Sequence, residues 1–267
     1  MVSFPNGKIN LGLQITGKRD DGFHDIETVF YPIAIYDVVE IIKADTFSFT
    51  PSGIMIDGYN ENNLCVKAYQ LLKQDYPRLP SVAIQLHKNI PIGAGLGGGS
   101  ADAVACLQLL NRLGNLNLSL EKMNAYALQL GSDCPFFLLN QPCLATGRGE
   151  KISQINVDIS PYDILIVNPG IHINTGWAFS ALRTLSASSA LESIVTSPVK
   201  NWKRMLTNDF EQSVHEKYPE IKSLKDLLYE HGAIYASLSG SGSTVYGLFE
   251  KNNRPYIQLP AYFAKWL

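Results

Sequence analysis

A run of twelve residues, PIGAGLGGGSAD from Pro91 to Asp102, contains five glycines and leads into a helical pattern. Glycine lets the backbone adopt positive φ and approach a ligand closely. At the N-terminus of a helix, unsatisfied N–H groups and the helix dipole favour anions. The segment therefore predicts a phosphate-binding loop, in which Ser100 adds a hydroxyl group at or near the N-cap of the helix.

Two other kinds of glycine loop share part of this pattern. Gly93, Gly95 and Gly98 match the dinucleotide spacing G-x-G-x-x-G, but that fold needs a second parallel strand after the helix. Here NLNLSLEKMNAYALQLG predicts a second helix instead. A P-loop ends in G-K-[ST], and no lysine follows Gly99. A tight structural turn without a ligand stays open, although the density of glycines directly before a helix favours a phosphate cradle.

Two further segments place polar residues where they could do chemistry. In GKINLGLQITGKRDDGFH, Lys8 and Asn10 are two residues apart on a predicted strand and therefore point to the same face. A charged, glycine-containing turn then leads to Phe23 and His24. In LGSDCPFF, Asp133 follows a helix-stopping glycine, so we expect it on a bend before an apolar run.

Together these segments resemble the GHMP kinase family. Its phosphate loop is similar to PIGAGLGGGSA, and its C-terminal glycine motif is similar to LSGSGS at residues 238–243. The segment KINLGLQITGKRDDGFH is more particular, since it resembles the family members that phosphorylate 4-diphosphocytidyl-2-C-methyl-D-erythritol in non-mevalonate isoprenoid biosynthesis. The motifs span residues 8–243, so the resemblance covers nearly the whole chain.

The resemblance implies an α+β, two-domain GHMP kinase fold with the active site in the cleft between the domains. It implies an N-terminal domain over residues 1–150, which holds the phosphate loop and the catalytic residues, and a C-terminal domain over residues 151–267. It also implies ATP and Mg²⁺ as cofactors. The expected reaction is phosphorylation of the 2-hydroxyl group of a small-molecule substrate that carries a cytidine diphosphate group.

The resemblance further implies roles for single residues. The catalytic lysine and aspartate of the family fall on Lys8 and Asp133, and two adenosine-side residues fall on Asn63 and Lys88. The expected substrate contacts are Asn10, Phe23, His24, Thr175 and Phe179. The expected ATP phosphate loop consists of Pro91, Ile92, Gly93, Ala94, Gly95, Leu96, Gly97, Gly98, Gly99, Ser100 and Ala101.

The chain departs from the family pattern at two points. Phe23 stands where the family usually has tyrosine, so stacking on cytosine is expected to persist while a hydroxyl contact is lost. Gly7 replaces an alanine before the catalytic lysine, and the family's proline lies one residue further away, at Pro5. This change affects the start of the strand rather than Lys8 itself.

Two other functions stay open at this stage. One is a kinase of the same family for another small alcohol, such as mevalonate or homoserine, which would have no use for the DGFH turn and the aromatic pair. The other is a nucleotide-binding regulatory protein without turnover, which would have no use for Lys8 and Asp133.

Composition and charge limit the classes of partner that we expect this protein to bind. A formal net charge of -2 over 267 residues gives no basic footprint for nucleic acid or for an anionic membrane. MVSFPNGKIN lacks a signal-peptide pattern, and no run of about 18 apolar residues occurs, so a cytoplasmic location without a membrane partner is expected. The four cysteines lack C-x-x-C spacing and the five histidines lack H-x-x-x-H spacing, which favours buried free thiols and no structural zinc.

Periodicity predicts the elements that position these residues. KINLGLQIT alternates apolar residues, and IETVFYPIAIYDVVEIIKA is rich in β-branched and aromatic residues, with breaks expected at Pro32 and Asp37. FSFT and IMI are expected to form two short strands. In SLEKMNAYALQLG, Ser119 predicts the start of a helix and Gly131 its end. Further helices are expected in LCVKAYQLLKQDY, SADAVACLQLLNRLG, TGWAFSALRTL, VKNWKRML and EIKSLKDLLYEHG, and further strands in VAIQLHK, YDILIVNPG, YASLS and TVYGLF.

Overall fold

The computed structural model describes residues 1–56, 60–182 and 191–267, in which strands and helices are mixed. The chain packs into two compact units. Unit 1 comprises Met1–Gly7, Ile33–Ile92 and Gly97–Asn140, and unit 2 comprises Lys8–Pro32, Gly93–Leu96 and Gln141–Leu267. Each unit therefore draws on separate stretches of sequence. The domain boundary expected at residue 150 stays a prediction.

The strands and helices alternate in groups along the described residues. The strands are β1 (Val2–Ser3), β2 (Asn6–Lys18), β3 (His24–Tyr36), β4 (Val38–Lys43), β5 (Ser48–Gly53), β6 (Val82–Lys88), β7 (Cys143–Thr146), β8 (Lys151–Gln154), β9 (Tyr162–Asn168), β10 (Tyr235–Leu238), β11 (Val245–Glu250) and β12 (Phe263–Trp266). The α-helices are α1 (Leu64–Asp75), α2 (Gly98–Leu113), α3 (Leu120–Leu130), α4 (Cys134–Leu139), α5 (Thr175–Ser180), α6 (Leu191–Val195), α7 (Trp202–Met205), α8 (Phe210–Lys217) and α9 (Pro219–Glu230).

In unit 1, a sheet in the order β1-β4-β6-β5 packs against helix α2. Strands β4 and β6 are antiparallel, whereas β5 runs parallel to β6. Helix α2 contacts α1, α3, α4 and β4, and its small residues, such as Ala101 and Ala105, are buried. Small side chains let a helix approach several neighbours at once, so α2 is the central helix of this unit and holds the end of the glycine loop in place.

In unit 2, an antiparallel sheet in the order β10-β11-β9-β12 packs against α9. Its core includes Val167, Leu238 and Phe249 from the sheet with Leu224 and Leu228 from α9. A second sheet follows the order β2-β3-β7-β8, and β2 is buried continuously from residue 7 to residue 15. Burial on both faces of a strand is unusual for polar side chains, so the polar residues of β2 need internal partners.

Two details of the predicted strands are wrong. Strand β3 continues through Pro32, which lies beyond the segment Thr28–Phe30 that pairs with β7, so the missing N–H group removes no bond to that strand. Strand β5 is one strand over Ser48–Gly53, and residues 54–56 are not a strand. Because β5 is the edge of its sheet, Pro51 is tolerated there. The break at Asp37, the cap at Ser119 and the stop at Gly131 are confirmed.

Candidate active site

Lys8 lies near the start of β2 and is only 3% exposed. Its ammonium group donates a hydrogen bond of 2.6 Å to Asn10 Oδ1 and lies 4.9 Å from the centre of the Phe30 ring. Its backbone N–H donates to the carbonyl oxygen of Leu96 at 2.9 Å, which ties the strand to the glycine loop. A buried charge requires such partners, and they fix the position of this ammonium group.

The resemblance predicts a substrate contact for Asn10, which stays a prediction, and the structure shows which neighbours its side chain contacts within unit 2. Asn10 is 1% exposed, and its Oδ1 accepts from Lys8 while its Nδ2 donates to Thr28 Oγ1 at 2.9 Å. Its backbone N–H donates to Ser239 Oγ at 3.3 Å, and its carbonyl oxygen accepts from the Tyr246 hydroxyl at 2.9 Å. Asn10 therefore holds Lys8 from within unit 2.

The middle of the glycine loop, residues 93–96, packs in unit 2 against the turn that contains LSGSGS. Ser239 Oγ donates to the carbonyl oxygen of Gly95 at 2.8 Å, and Thr244 N–H donates to that of Ala94 at 3.3 Å. Gly95 has φ +78°, and a Cβ atom built on it would overlap the carbonyl oxygen of Ser239. Only glycine fits this close approach, and the two glycine motifs of the sequence thus form one structure.

The end of the loop lies in unit 1 and runs into α2. Gly97 is the N-cap residue of α2 and adopts the left-handed conformation, with φ +70°. It makes no side-chain capping hydrogen bond at this end of the helix. Ser100 therefore lies inside the first turn, three residues after the N-cap, which agrees with the prediction that it lies at or near the N-cap. The N–H groups of a first helical turn have no partner inside the helix, which leaves those of residues 98–100 suited to an anion.

The resemblance predicts an adenosine-side contact for Lys88, which stays a prediction, and the structure places its side chain in a buried cluster of charges. Lys88 is 4% exposed, and its ammonium group forms ion pairs with the carboxylates of Asp37 and Asp102, the latter at 2.8 Å. Asp37 Oδ1 also accepts from the backbone N–H groups of Asn89 and Ile90 at 2.6 and 2.8 Å. The cluster therefore joins the segment before the loop to the first turns of α2.

Burial and charge together set the pKa values of Asp102 and Lys88. Burial raises the pKa of Asp102 to about 7, although the ammonium group of Lys88 opposes the change. Burial alone would lower the pKa of Lys88, but the two carboxylates outweigh it, and the pKa lies above its usual value. The surroundings of Lys88 therefore stabilise its charged ammonium form.

We expect the variant Lys88→Met to unfold with a free energy about 3–5 kcal/mol lower than the parent, because two buried carboxylates lose their partner. The loss should be smaller at pH 5 than at pH 8, because burial raises the pKa of Asp102 in the folded state. This carboxyl group takes up a proton as the pH falls, and its charge then no longer opposes folding. Urea denaturation at both pH values measures this, with exposed Lys67→Met as the matched control. A stable variant that lost only ATP affinity would contradict a structural role.

Two more candidate residues of unit 1 lie at helix starts. Asn63 is the N-cap of α1, where its Oδ1 accepts from Cys65 N–H at 2.9 Å. Asp133 directly precedes α4, a short helix that the sequence does not predict as such, and its side chain makes no capping bond there. Ser100 forms a hydrogen bond with the thiol of Cys134, the next residue, whose pKa burial raises to about 12. The first turn of α2 is thus adjacent to the segment that carries Asp133.

The predicted substrate contacts of unit 2 include an aromatic group. The rings of His24 and Phe179 stack with their centres 4.9 Å apart and their planes at 15°. Phe179 also packs edge-on against Phe210 at 5.0 Å, which fixes its ring. Phe23 is 54% exposed, with the guanidinium group of Arg148 lying 4.8 Å from its ring centre. The structure thus stacks two of the predicted residues, His24 and Phe179, on each other. Phe23, the residue before His24, remains exposed.

Thr175 is the first residue of α5, the helix that also contains Phe179. It is exposed, and its hydroxyl group is 3.3 Å from that of Ser241 in the second glycine turn. A contact between α5 and this turn is not visible from sequence spacing, because the two lie 66 residues apart. The described residues thus connect one predicted substrate contact to the motif LSGSGS.

Sequence reasoning misses several residues that support the site. Asp37 is noticed only as a break between strands, and Asp102 only as the end of the glycine segment. Ser239 lies within the motif LSGSGS, which is the signal that could have found it. Thr28 has no such signal, since a threonine in a β-branched run is ordinary for a strand.

Within residues 1–56, 60–182 and 191–267, no group of three or more His, Cys, Asp or Glu side chains is arranged to hold a metal ion. The four cysteines all lie in this part of the chain as buried free thiols, as the sequence predicts for Cys65 and Cys106. Among the helices of these ranges, none combines the length and apolar character that crossing a bilayer requires.

Comparison with known proteins adds independent findings. The profile "GHMP kinases N terminal domain" matches residues 63–141, and "GHMP kinases C terminal" matches residues 190–258. The 4-diphosphocytidyl-2-C-methyl-D-erythritol kinase of Azobacteroides pseudotrichonymphae is 52% identical over 96% of each chain. The protein of that name from Bacteroides fragilis strain ATCC 25285 is 48% identical over 95% of this chain and 94% of its own.

A solved structure agrees with these relatives. The crystal structure of a 4-(cytidine 5'-diphospho)-2C-methyl-D-erythritol kinase superposes with a TM-score of 0.81 at 30% identity, and the match covers 93% of this chain and 90% of that chain. The similarity thus extends through sequence and fold over nearly the whole length of both proteins.

Proposed function

The chain belongs to the GHMP kinase family, among its 4-diphosphocytidyl-2-C-methyl-D-erythritol kinases, and from this premise we propose which of its residues carry the reaction. The enzyme phosphorylates the 2-hydroxyl group of this substrate with ATP. The observation that carries the assignment is 52% identity to a kinase of that name over 96% of each chain. Similarity of this extent leaves no support for the alternatives of a mevalonate or homoserine kinase, or of a regulatory protein without turnover.

The glycine loop holds the phosphates of ATP. Phosphoryl transfer depends mainly on positioning and on stabilising charge that develops on the phosphate oxygens. Backbone N–H groups of residues 98–100, at the N-terminus of α2, are suited to that task because they are fixed before the substrate arrives. The bonds from Ser239 and Thr244 keep residues 94 and 95 in the required conformation.

Lys8 and Asp133 act on the reacting groups. Asp133 accepts the proton of the substrate hydroxyl group as its oxygen attacks the γ-phosphorus of ATP, and the bond from that phosphorus to the β–γ bridging oxygen breaks to release ADP. Lys8 stabilises the negative charge of the transferring group. Its ammonium is suited to this because the buried setting excludes water and Asn10 keeps it in place.

Mg²⁺ fits this arrangement as a partner of the nucleotide. It usually binds through one or two carboxylates together with substrate phosphates and water, so a dedicated cluster of three protein ligands is not needed. The hydroxyl group of Ser100 is the protein donor we assign to it. When bound, the ion neutralises phosphate charge.

The aromatic group of unit 2 recognises the cytosine of the substrate. Bases stack on aromatic faces, and their edges form hydrogen bonds with polar side chains. Phe23 and Phe179 supply faces, and His24 supplies a donor and an acceptor. The edge contact of Phe210 keeps Phe179 rigid, which lowers the entropy lost on binding.

We expect Phe179→Ala to raise KM for the cytidyl substrate about 5- to 150-fold, because one stacking contact contributes about 1–3 kcal/mol. KM for ATP should not change. Steady-state kinetics with each substrate varied in turn measures the difference. Phe47→Ala is the matched control, since Phe47 stacks on Tyr69 in unit 1 with ring centres 4.6 Å apart. An equal rise in both KM values would contradict a cytosine-specific role.

The substrate assignment is tested with a panel of alcohols and ATP. We expect the cytidyl substrate to be phosphorylated, whereas mevalonate and homoserine should not be phosphorylated. Mass spectrometry of the products identifies the phosphorylated compound. Phosphorylation of mevalonate without turnover of the cytidyl substrate would overturn the assignment.

A further inference from the structure

A chain of directed hydrogen bonds crosses from β3 to β2 behind the ammonium group of Lys8. Thr28 Oγ1 lies 2.5 Å from the carbonyl oxygen of Gly12 and 2.9 Å from Asn10 Nδ2. Asn10 Oδ1 in turn lies 2.6 Å from Lys8 Nζ. Thr28 is 0% exposed, Asn10 1% and Lys8 3%, so water does not replace these bonds.

The direction of each bond follows from chemistry. A carbonyl oxygen can only accept, so the single hydroxyl hydrogen of Thr28 is committed to Gly12. Towards Asn10, the Thr28 oxygen can therefore only accept, and the amide must present its NH₂ group to it. The carbonyl oxygen of the same amide then faces Lys8 and accepts from the ammonium group.

The opposite orientation of the amide would place NH₂ against NH₃⁺, where neither group can accept. The ammonium group of Lys8 and the oxygen of Thr28 thus favour the same orientation of the amide. Loss of the Thr28 hydroxyl group would remove one of these two constraints, together with the bond that holds Asn10 Nδ2 in place. Gly12 supplies the acceptor at the end of this chain of bonds. It adopts φ +72°, a conformation that L side chains rarely take, and its carbonyl oxygen accepts from the Thr28 hydroxyl group.

We propose that Thr28 is a positioning residue for phosphoryl transfer, which acts through the side-chain amide of Asn10 on the ammonium group of Lys8. The inference rests on the proposed catalytic role of Lys8. It changes the role of Asn10 as well, from a contact of the substrate to the connection between Thr28 and Lys8. Thr28 itself touches neither the substrate nor the nucleotide in this scheme.

The test compares Thr28→Val with Thr28→Ser. Valine keeps the shape but removes the hydroxyl group, so we expect kcat to fall about 5- to 150-fold, the range for a lost buried hydrogen bond, without a change in KM for ATP. Serine keeps the hydroxyl group and should restore most of the rate. An unchanged kcat in Thr28→Val would overturn the proposal.

A double-mutant cycle separates a positioning role from general damage to the fold. If Thr28 acts through Asn10, then Thr28→Val added to Asn10→Ala should cause no further loss of kcat. Losses that multiply would show that Thr28 acts by another route and would overturn the inference. Thr28→Cys replaces Thr28→Val in the same cycle if the valine variant does not fold.

The same cycle distinguishes failure of this inference from failure of the proposed roles. A normal kcat in Asn10→Ala would count against the importance of the Lys8 environment itself. A slow Asn10→Ala enzyme together with a normal Thr28→Val enzyme would leave the role of Lys8 intact and reject only the role of Thr28.

Discussion

Replacement of Asp133 by alanine is expected to lower kcat about 10²- to 10⁴-fold, the range that general-base catalysis contributes. The hydroxyl group of the substrate is a poor nucleophile until a base accepts its proton, and Asp133 is the group we assign to that step. The loss should appear in kcat rather than in nucleotide affinity. Single-turnover kinetics together with calorimetric titration of an ATP analogue measures both quantities.

The Asp133 side chain makes no capping bond at the start of α4, so its replacement removes no N-cap of that helix. Circular dichroism and thermal unfolding verify that the alanine variant is folded. Asp45→Ala, at an exposed position of unit 1, is the matched control for loss of a carboxylate. A folded Asp133→Ala enzyme with full turnover would contradict the assignment.

The second large effect is expected for Lys8→Met, with kcat lower by about 10²- to 10³-fold, as observed in general when one preorganised stabilising donor is removed. Methionine keeps much of the length of the side chain but removes the charge. Arginine is not a conservative replacement, because its wide planar group does not fit the space between Asn10 and the ring of Phe30. Steady-state kinetics at saturating ATP measures the loss.

Loss of the ammonium group also leaves the amide oxygen of Asn10 without this donor, so the free energy of unfolding should fall by about 1–3 kcal/mol. Lys18→Met is the matched control, because Lys18 is the exposed last residue of the same strand. If Lys8→Met remained folded and turned over at the rate of the control, Lys8 would not be part of the catalytic machinery.

Several local features of this protein, together with its family and reaction, could be predicted from the sequence alone. Glycines before a helical pattern predict a phosphate loop because local chain chemistry requires them there, and α2 begins within that segment. Ser119 caps its helix as its type predicts. The resemblance carried by the motifs identified the family and the reaction, which the relatives confirm.

Other features depend on tertiary structure. The resemblance predicts an adenosine-side contact for Lys88 from its place before the loop, whereas its ion pairs with Asp37 and Asp102 are visible only in the tertiary structure. The link from Gly95 to Ser239 joins residues 144 positions apart, and that from Asn10 to Thr28 joins neighbouring strands. Residue type and spacing specify local conformation, whereas the partner of a buried polar group depends on which distant segments the fold brings against it.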